Sequence, residues 1–266
     1  MNFFATFYIL RTSNIQRANN NNEITMKTKF LIILLSICSI GLFSGCDFTM
    51  NMKPSKTIIT RTYKVGSFNA IDFTAIGNVE FIQSKDTSCS ISIKGPQNYV
   101  KQFDVCVNNG VLHVDHNQKN HFHKVNIQIK ISAPMLTNII SKGVGDIQIG
   151  NIRINNLEVL NKGVGNINID SITGNSVTIN SNGVGNINIK GKVHVASLAC
   201  NGVGDIKAEE LQSKIVDANC RGVGSITCFA TDSMTATVKG VGSIKYKGKP
   251  LFKDLNSSGV GSIKEK

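Results

Sequence analysis

Residues 143–149 read Gly143-Val144-Gly145-Asp146-Ile147-Gln148-Ile149, and the pattern does not occur once. Gly-Val-Gly starts again at Gly163, Gly183, Gly202, Gly222, Gly240 and Gly259, at intervals of 20, 20, 19, 20, 18 and 19 residues. The fourth residue of every copy is Asp, Asn or Ser, and the fifth is Ile. A fixed period of this length marks a repeat architecture, in which each unit buries its apolar face only by stacking on its neighbours.

Within a unit, Ile147-Gln148-Ile149 and Ile167-Asn168-Ile169 alternate apolar with polar, as do Leu157-Glu158-Val159 and Val177-Thr178-Ile179. Period-two alternation is the mark of a half-buried strand. No unit offers ten residues of helical periodicity, and the paired glycines oppose a helix. Two or three short strands in about 20 residues make one coil of an all-β solenoid, a parallel β-helix. Coils stacked at the ~4.8 Å strand spacing give a rod of roughly 30–35 Å for residues 143–266.

The repeated letters then have physical roles. Val and Ile of each copy are read as inward, stacking on their own kind. Gly on both sides of Val allows positive φ at a sharp corner. Asp, Asn or Ser after the second Gly is read as a turn former. Two residues before each Gly-Val-Gly stand Ser141, Asn161, Ser181, Cys200, Cys220, Val238 and Ser257, small enough for a tight bend. That alignment places Cys200 and Cys220 one coil apart at ~4.8 Å, so they form either a disulfide or two stacked thiols.

The first half is less regular. Ala75-Ile76-Gly77-Asn78-Val79-Glu80-Phe81 reads as a degenerate copy of the corner. Asn108-Asn109-Gly110 between Phe103–Val107 and Val111–Val114 predicts a hairpin, and Lys124–Ser132 a strand. One continuous domain is expected over 56–266, its irregular N-terminal half capping the solenoid.

Before that domain, Met26-Lys27-Thr28-Lys29, an apolar run Phe30–Phe43 and Ser44-Gly45-Cys46 have the layout of an export signal. Leu42-Phe43-Ser44-Gly45-Cys46 resembles a lipobox, which predicts a signal peptide at 26–45, lipidation of Cys46 and a tether over 46–55. Residues 1–25 are polar, Asn-rich at 18–22, and read as an extension ahead of the start at Met26. The chain is then anchored in the cell envelope, at the outer membrane, with acyl chains in the bilayer.

The formal charge is +12, and +9 remains without residues 1–45. The cations are scattered without a basic run, which argues against nucleic acid and for a solvated surface attractive to anionic glycans or other cell-surface ligands. A stripe of Lys142, Lys162, Arg221 and Lys239, each one place before Gly-Val-Gly, is the candidate binding feature.

The same residues bear on other chemistry. His113, His116, His121 and His123 are the densest candidate metal ligands, but Asn117–Asn120 between them reads as a loop, and no cofactor is implied. Polysaccharide lyases and hydrolases need clustered carboxylates on adjacent coils. Asp146 and Asp205 share a column three coils apart, while Asp170 and Glu209 share another with Lys190 between them. A carbohydrate-active enzyme is therefore the alternative to a non-enzymatic adhesin or scaffold. A periplasmic structural protein without a specific ligand is the third reading.

The Gly-x-Gly-[Asp/Asn/Ser]-Ile corners, the step Ala133-Pro134-Met135-Leu136 and the ending Tyr246-Lys247-Gly248-Lys249-Pro250 resemble the head GIN domain family over about residues 56–266. Members are described as auto-transporter adhesins, mostly lipoproteins or secreted proteins of Gram-negative bacteria. The resemblance implies a right-handed parallel β-helix and an adhesin role. This chain carries Val where many relatives carry Ser between the two glycines.

Overall fold

The computed structural model describes residues 50–116, 120–122 and 126–266. The described chain forms one compact unit, Met50–Lys266. It is a parallel β-solenoid of about six turns, 69% strand and 2% helix. The export segment and Cys46 lie outside the described residues.

The repeat region builds the solenoid directly. Strands β10 (Asn138–Ser141), β11 (Ile147–Arg153) and β12 (Asn156–Asn161) are followed by β13 (Ile167–Ser181), β14 (Ile187–Cys200), β15 (Ile206–Cys220) and β16 (Val223–Val238). The last turn is made by β17 (Val241–Lys247), β18 (Phe252–Ser257) and β19 (Val260–Glu265). Each coil pairs in parallel with the next, and equivalent residues face each other: Ile147 with Ile167, Ile167 with Ile187, Ile187 with Ile206, Ile206 with Ile226. These isoleucines are at most 2% exposed and form an unbroken aliphatic column. Burying a side chain of that size contributes about 1.5–3 kcal/mol relative to leaving it in water. A second column runs Ile139, Val159, Ile179, Leu198, Ala218 and Ala236 on the other arm.

The degenerate corner is a true coil. β3 (Ala70–Phe73) pairs with β10 and β4 (Asn78–Gln83) with β11, and Ile76 bridges Val144. Val111–Val114 and Gln128–Ala133 still stack in parallel on β3 and β4, and beyond that layer the parallel pattern gives way. β5 (Ser90–Pro96) runs antiparallel to β2 (Ile58–Tyr63) and to β9 (Gln128–Ala133). β6 (Phe103–Asn108) and β7 (Val111–His116) form the expected hairpin, with Asn109 and Gly110 both at positive φ. The short helix α1 (Gln97–Val100) buries Tyr99 and Val100 completely and closes the core at this end. At the other end β18 and β19 are exposed edges, and Lys253, Asp254, Lys264 and Glu265 stud them with the charges that discourage edge pairing.

The corners correct two expectations. Val144, Val164, Val184, Val203, Val223 and Val241 are 48–56% exposed, so they point outward. The reason is parity: period-two alternation continues through the corner, so Ser141, Gly143 and Ile147 face in while Val144 faces out. Positive φ is confined to the second glycine of a copy, at Gly145, Gly165, Gly185, Gly204 and Gly224. The first glycine is needed for another reason. A Cβ on Gly163 would overlap the carbonyl oxygen of Gly143, and one on Gly183 that of Gly163.

Candidate binding surface

The corner side chains form ordered ladders. Asp146 Oδ1 accepts from Asn166 N (2.8 Å), Asn166 Oδ1 from Asn186 N (2.9 Å), Asn186 Oδ1 from Asp205 N (2.9 Å) and Asp205 Oδ1 from Ser225 N (2.9 Å). Each side chain thus satisfies a backbone donor one coil on. Asp146 and Asp205 are occupied as corner acceptors, the turn-forming role expected of them. Where Ser follows, Ser225 Oγ lies 3.3 Å from Ser243 Oγ and the strands run straight through the corner.

The other carboxylate column is rearranged by a register shift between Asn188 and Lys190. Lys190 stands opposite Glu210, not Glu209, and pairs with it at 3.0 Å. Asp170 accepts from Gln148 Nε2 at 2.6 Å. Glu209 Oε2 holds Lys247 (3.2 Å) and Lys266 (2.6 Å), which keep its carboxyl below the usual range. A bulge is invisible to a count by fixed period, which is why the sequence placed Glu209 in the wrong column.

His113 and His116 lie in different surroundings. His113 Nδ1 approaches Asp72 Oδ2 at 3.7 Å, and His116 packs its ring 6.2 Å from that of Phe103. Burial lowers the His116 pKa, partly offset by Asp115. His121 falls in β8 (Asn120–Phe122), and His123 lies outside the described residues. Among the described residues no three His, Cys, Asp or Glu converge as metal ligands.

Cys200 and Cys220 face each other in register, as expected, and both are free and buried thiols. Cys200 Sγ donates to Gly204 O (3.2 Å) and Cys220 Sγ to Gly224 O (3.3 Å). Burial, with Cys220 alongside, pushes the Cys200 thiol up to about 11, and burial alone pushes Cys228 to about 12.

Lys142, Lys162, Arg221 and Lys239 are all exposed and form one column beside the valines. Lys142 Nζ pairs with Asp72 Oδ2 at 2.9 Å, the same oxygen that faces His113. Among the described residues, Lys162, Arg221 and Lys239 make no ion pair.

A further feature escaped the sequence reading. A groove of about 770 Å³ opens at the bend between β11 and β12, lined by Pro134, Met135, Arg153, Asn155, Asn156 and Glu158 among others. Gln83 fixes its floor: Nε2 donates to Pro134 O and Arg153 O, both at 2.9 Å, and Oε1 accepts from Arg153 N at 2.8 Å. The backbone of Arg153 is therefore clamped while its exposed guanidinium has no carboxylate partner among the described residues. Ser176 Oγ donates to Asn156 Oδ1 at 2.7 Å, and Asn138 Nδ2 to Glu158 Oε2 at 3.1 Å. The Pro134-Met135 step, already conspicuous in the sequence, forms one wall.

Residues 67–250 match the family model described as "putative auto-transporter adhesin, head GIN domain". The chain belongs to the head GIN domain family. A "putative adhesin" of Bacteroides fragilis is 42% identical, superposes with a TM-score of 0.79, and covers 81% of this chain and 100% of its own. A "putative lipid binding protein" of Parabacteroides distasonis is 22% identical with a TM-score of 0.62, covering 82% and 100%. A "putative adhesin" of Parabacteroides merdae is 22% identical with a TM-score of 0.58, covering 81% and 99%. The last two share the fold. No curated protein sequence matches the chain significantly. Membership of this adhesin-like head GIN family makes the chain a cell-surface or envelope protein.

Proposed function

We propose that this head GIN protein is a non-enzymatic, lipid-anchored adhesin module of the outer membrane that binds acidic glycans in the Arg153 groove. The observation that carries the reading is the unpaired Arg153 guanidinium, borne on a backbone that Gln83 clamps and beside Asn155 and Asn156. A guanidinium on a fixed backbone offers a two-pronged contact to a uronate or sulfate, and the amides suit sugar hydroxyls. Met135, 55% exposed, and Pro134 give the apolar wall on which a sugar face can rest. The unpaired Lys162, Arg221 and Lys239 add long-range attraction for a polyanion.

Isothermal titration against uronate-bearing and neutral oligosaccharides tests it. Binding of the acidic set only, weakened at least tenfold by Arg153→Ala, is expected. Equal binding by that variant, or release of shortened products, removes the groove reading. Cleavage of a C-terminal tag by protease on intact cells is the expected sign of a surface-facing solenoid, and protection would rule out adhesion to external ligands.

A further inference from the structure

The outward valines are the least expected feature of the molecule. Ile76, Val144, Val164, Val184, Val203, Val223, Val241 and Val260 occupy one column, linked rung to rung by parallel pairing. The six central valines are each about half exposed, and Val260, on the last coil, is 76% exposed. At the ~4.8 Å strand spacing the eight rungs make a straight apolar ridge roughly 34 Å long. Glycines flank every Val, so no side chain rises immediately beside the ridge. Roughly 70–80 Å² of each valine is open, on the order of 500 Å² for the ridge, which is already a large patch for a monomer surface.

The geometry points to a second copy of this chain as the occupant, in a parallel two-fold dimer whose axis runs along the solenoid. Area and spacing both favour this occupant. The two ridges together bury about 1,000 Å², the lower bound of a specific interface, before the flanks are counted. A second copy repeats at the same spacing by construction, so each ridge meets the glycine-lined margin of the other rung by rung.

The flanking charges select the direction. In every coil the chain crosses the ridge the same way, with Lys142, Lys162, Arg221 and Lys239 on one side and Asp146, Asn166, Asn186, Asp205 and Ser225 on the other. A two-fold axis along the solenoid sets the cation flank of each copy against the acceptor flank of its partner, so the unpaired Lys162, Arg221 and Lys239 face the polar Asn166, Ser225 and Ser243. An antiparallel pairing sets Lys142 against Lys239 and Lys162 against Arg221. Like charges facing each other disfavour that arrangement. The parallel dimer also points both N-termini the same way, as the lipid-anchored reading proposed above requires. The Arg153 groove opens at a different bend of the coil, separated from the valine corner by β11 and β12, so the dimer leaves both grooves free. This inference does not rest on the glycan reading.

Short bis-maleimide cross-linking of the full-length chain in its own envelope tests it. The exposed Cys106 is first replaced by Ser, and Val144→Cys, Val203→Cys and Val241→Cys are introduced singly. A parallel dimer cross-links at all three positions. Cross-linking at Val203→Cys alone, near the strip centre, means an antiparallel contact and overturns the proposal. So does a Val203→Cys thiol that labels freely as a monomer, or one that lipid shields without any cross-link. Val184→Lys with Val203→Lys is expected to weaken association at least tenfold in sedimentation. Circular dichroism checks that the coil is intact, since both positions are at the surface. Unchanged association in that folded variant equally overturns the proposal.

Discussion

Asp146 Oδ1 accepts a hydrogen bond from the backbone N–H of Asn166, 2.8 Å away and one coil later. The contact ties a corner side chain to the corner that stacks on it, and it repeats through Asn166, Asn186 and Asp205. Removing one acceptor orphans a backbone donor of the next coil. Asn186→Ala is therefore expected to lower stability by about 1–2 kcal/mol, measured by urea denaturation. Ser243→Ala, at a corner where the strands already pair, is expected to change it by less than about 0.5 kcal/mol.

The first glycine of a copy is a matter of space. Gly163 is not at positive φ, yet a Cβ there would run into Gly143 O. Gly163→Ala should cost on the order of 3 kcal/mol or more, by overpacking backbone against backbone. Gly150→Ala is the control, because the nearest atom to its new Cβ would be Phe81 O at 3.9 Å. It should leave the thermal midpoint nearly unchanged. Equal losses in the two variants would refute the stacking account.

Inward and outward positions of one repeat should separate cleanly. Ile187 is 0% exposed and Val184 is 48% exposed, three residues apart. Ile187→Ala is expected to destabilise by about 2–5 kcal/mol through lost burial and a residual cavity. Val184→Thr should cost under about 1 kcal/mol in the isolated chain. Guanidinium titration of the two variants reads the difference directly.

The buried thiols predict both reactivity and alkaline behaviour. Thiolate is the reactive form, so Cys200 and Cys228, pushed to about 11 and about 12, should resist iodoacetamide at pH 8 while exposed Cys106 reacts. Mass spectrometry after native and denatured alkylation counts the difference. A Cys200–Cys220 disulfide would show as two thiols missing even after unfolding. Because folding raises these pKa values, the folded state holds its protons more tightly than the unfolded chain. That contribution is complete below the ordinary thiol value of 9.0 and is lost as pH rises toward 11–12. Unfolding midpoints should fall across that window, and less so in Cys228→Ala after correction for its lower starting stability.

The coil period, the parallel stacking, the isoleucine column and the hairpin at Asn109-Gly110 were all legible in the residues. Each depends on short-range alternation, on turn chemistry or on a repeat that aligns with itself. The direction of the valines was legible too, had period two been carried through the corner: Val144 and Ile147 lie three apart and so face opposite sides. Register shifts were not legible, since the bulge that brings Lys190 to Glu210 alters no letter of the motif.

By itself, then, the sequence determined a Gly-cornered β-solenoid, its family, and which corner residues stack on one another, because identical coils must stack on identical coils. Tertiary structure alone decided that Lys142 closes on Asp72, 70 residues away, and that Gln83 clamps Arg153 at the same separation. It also decided that β11, β12 and the Pro134 step enclose a groove. Those contacts join the irregular first half to the repeats. No periodicity relates the two, so only the path of the folded chain brings their side chains within reach.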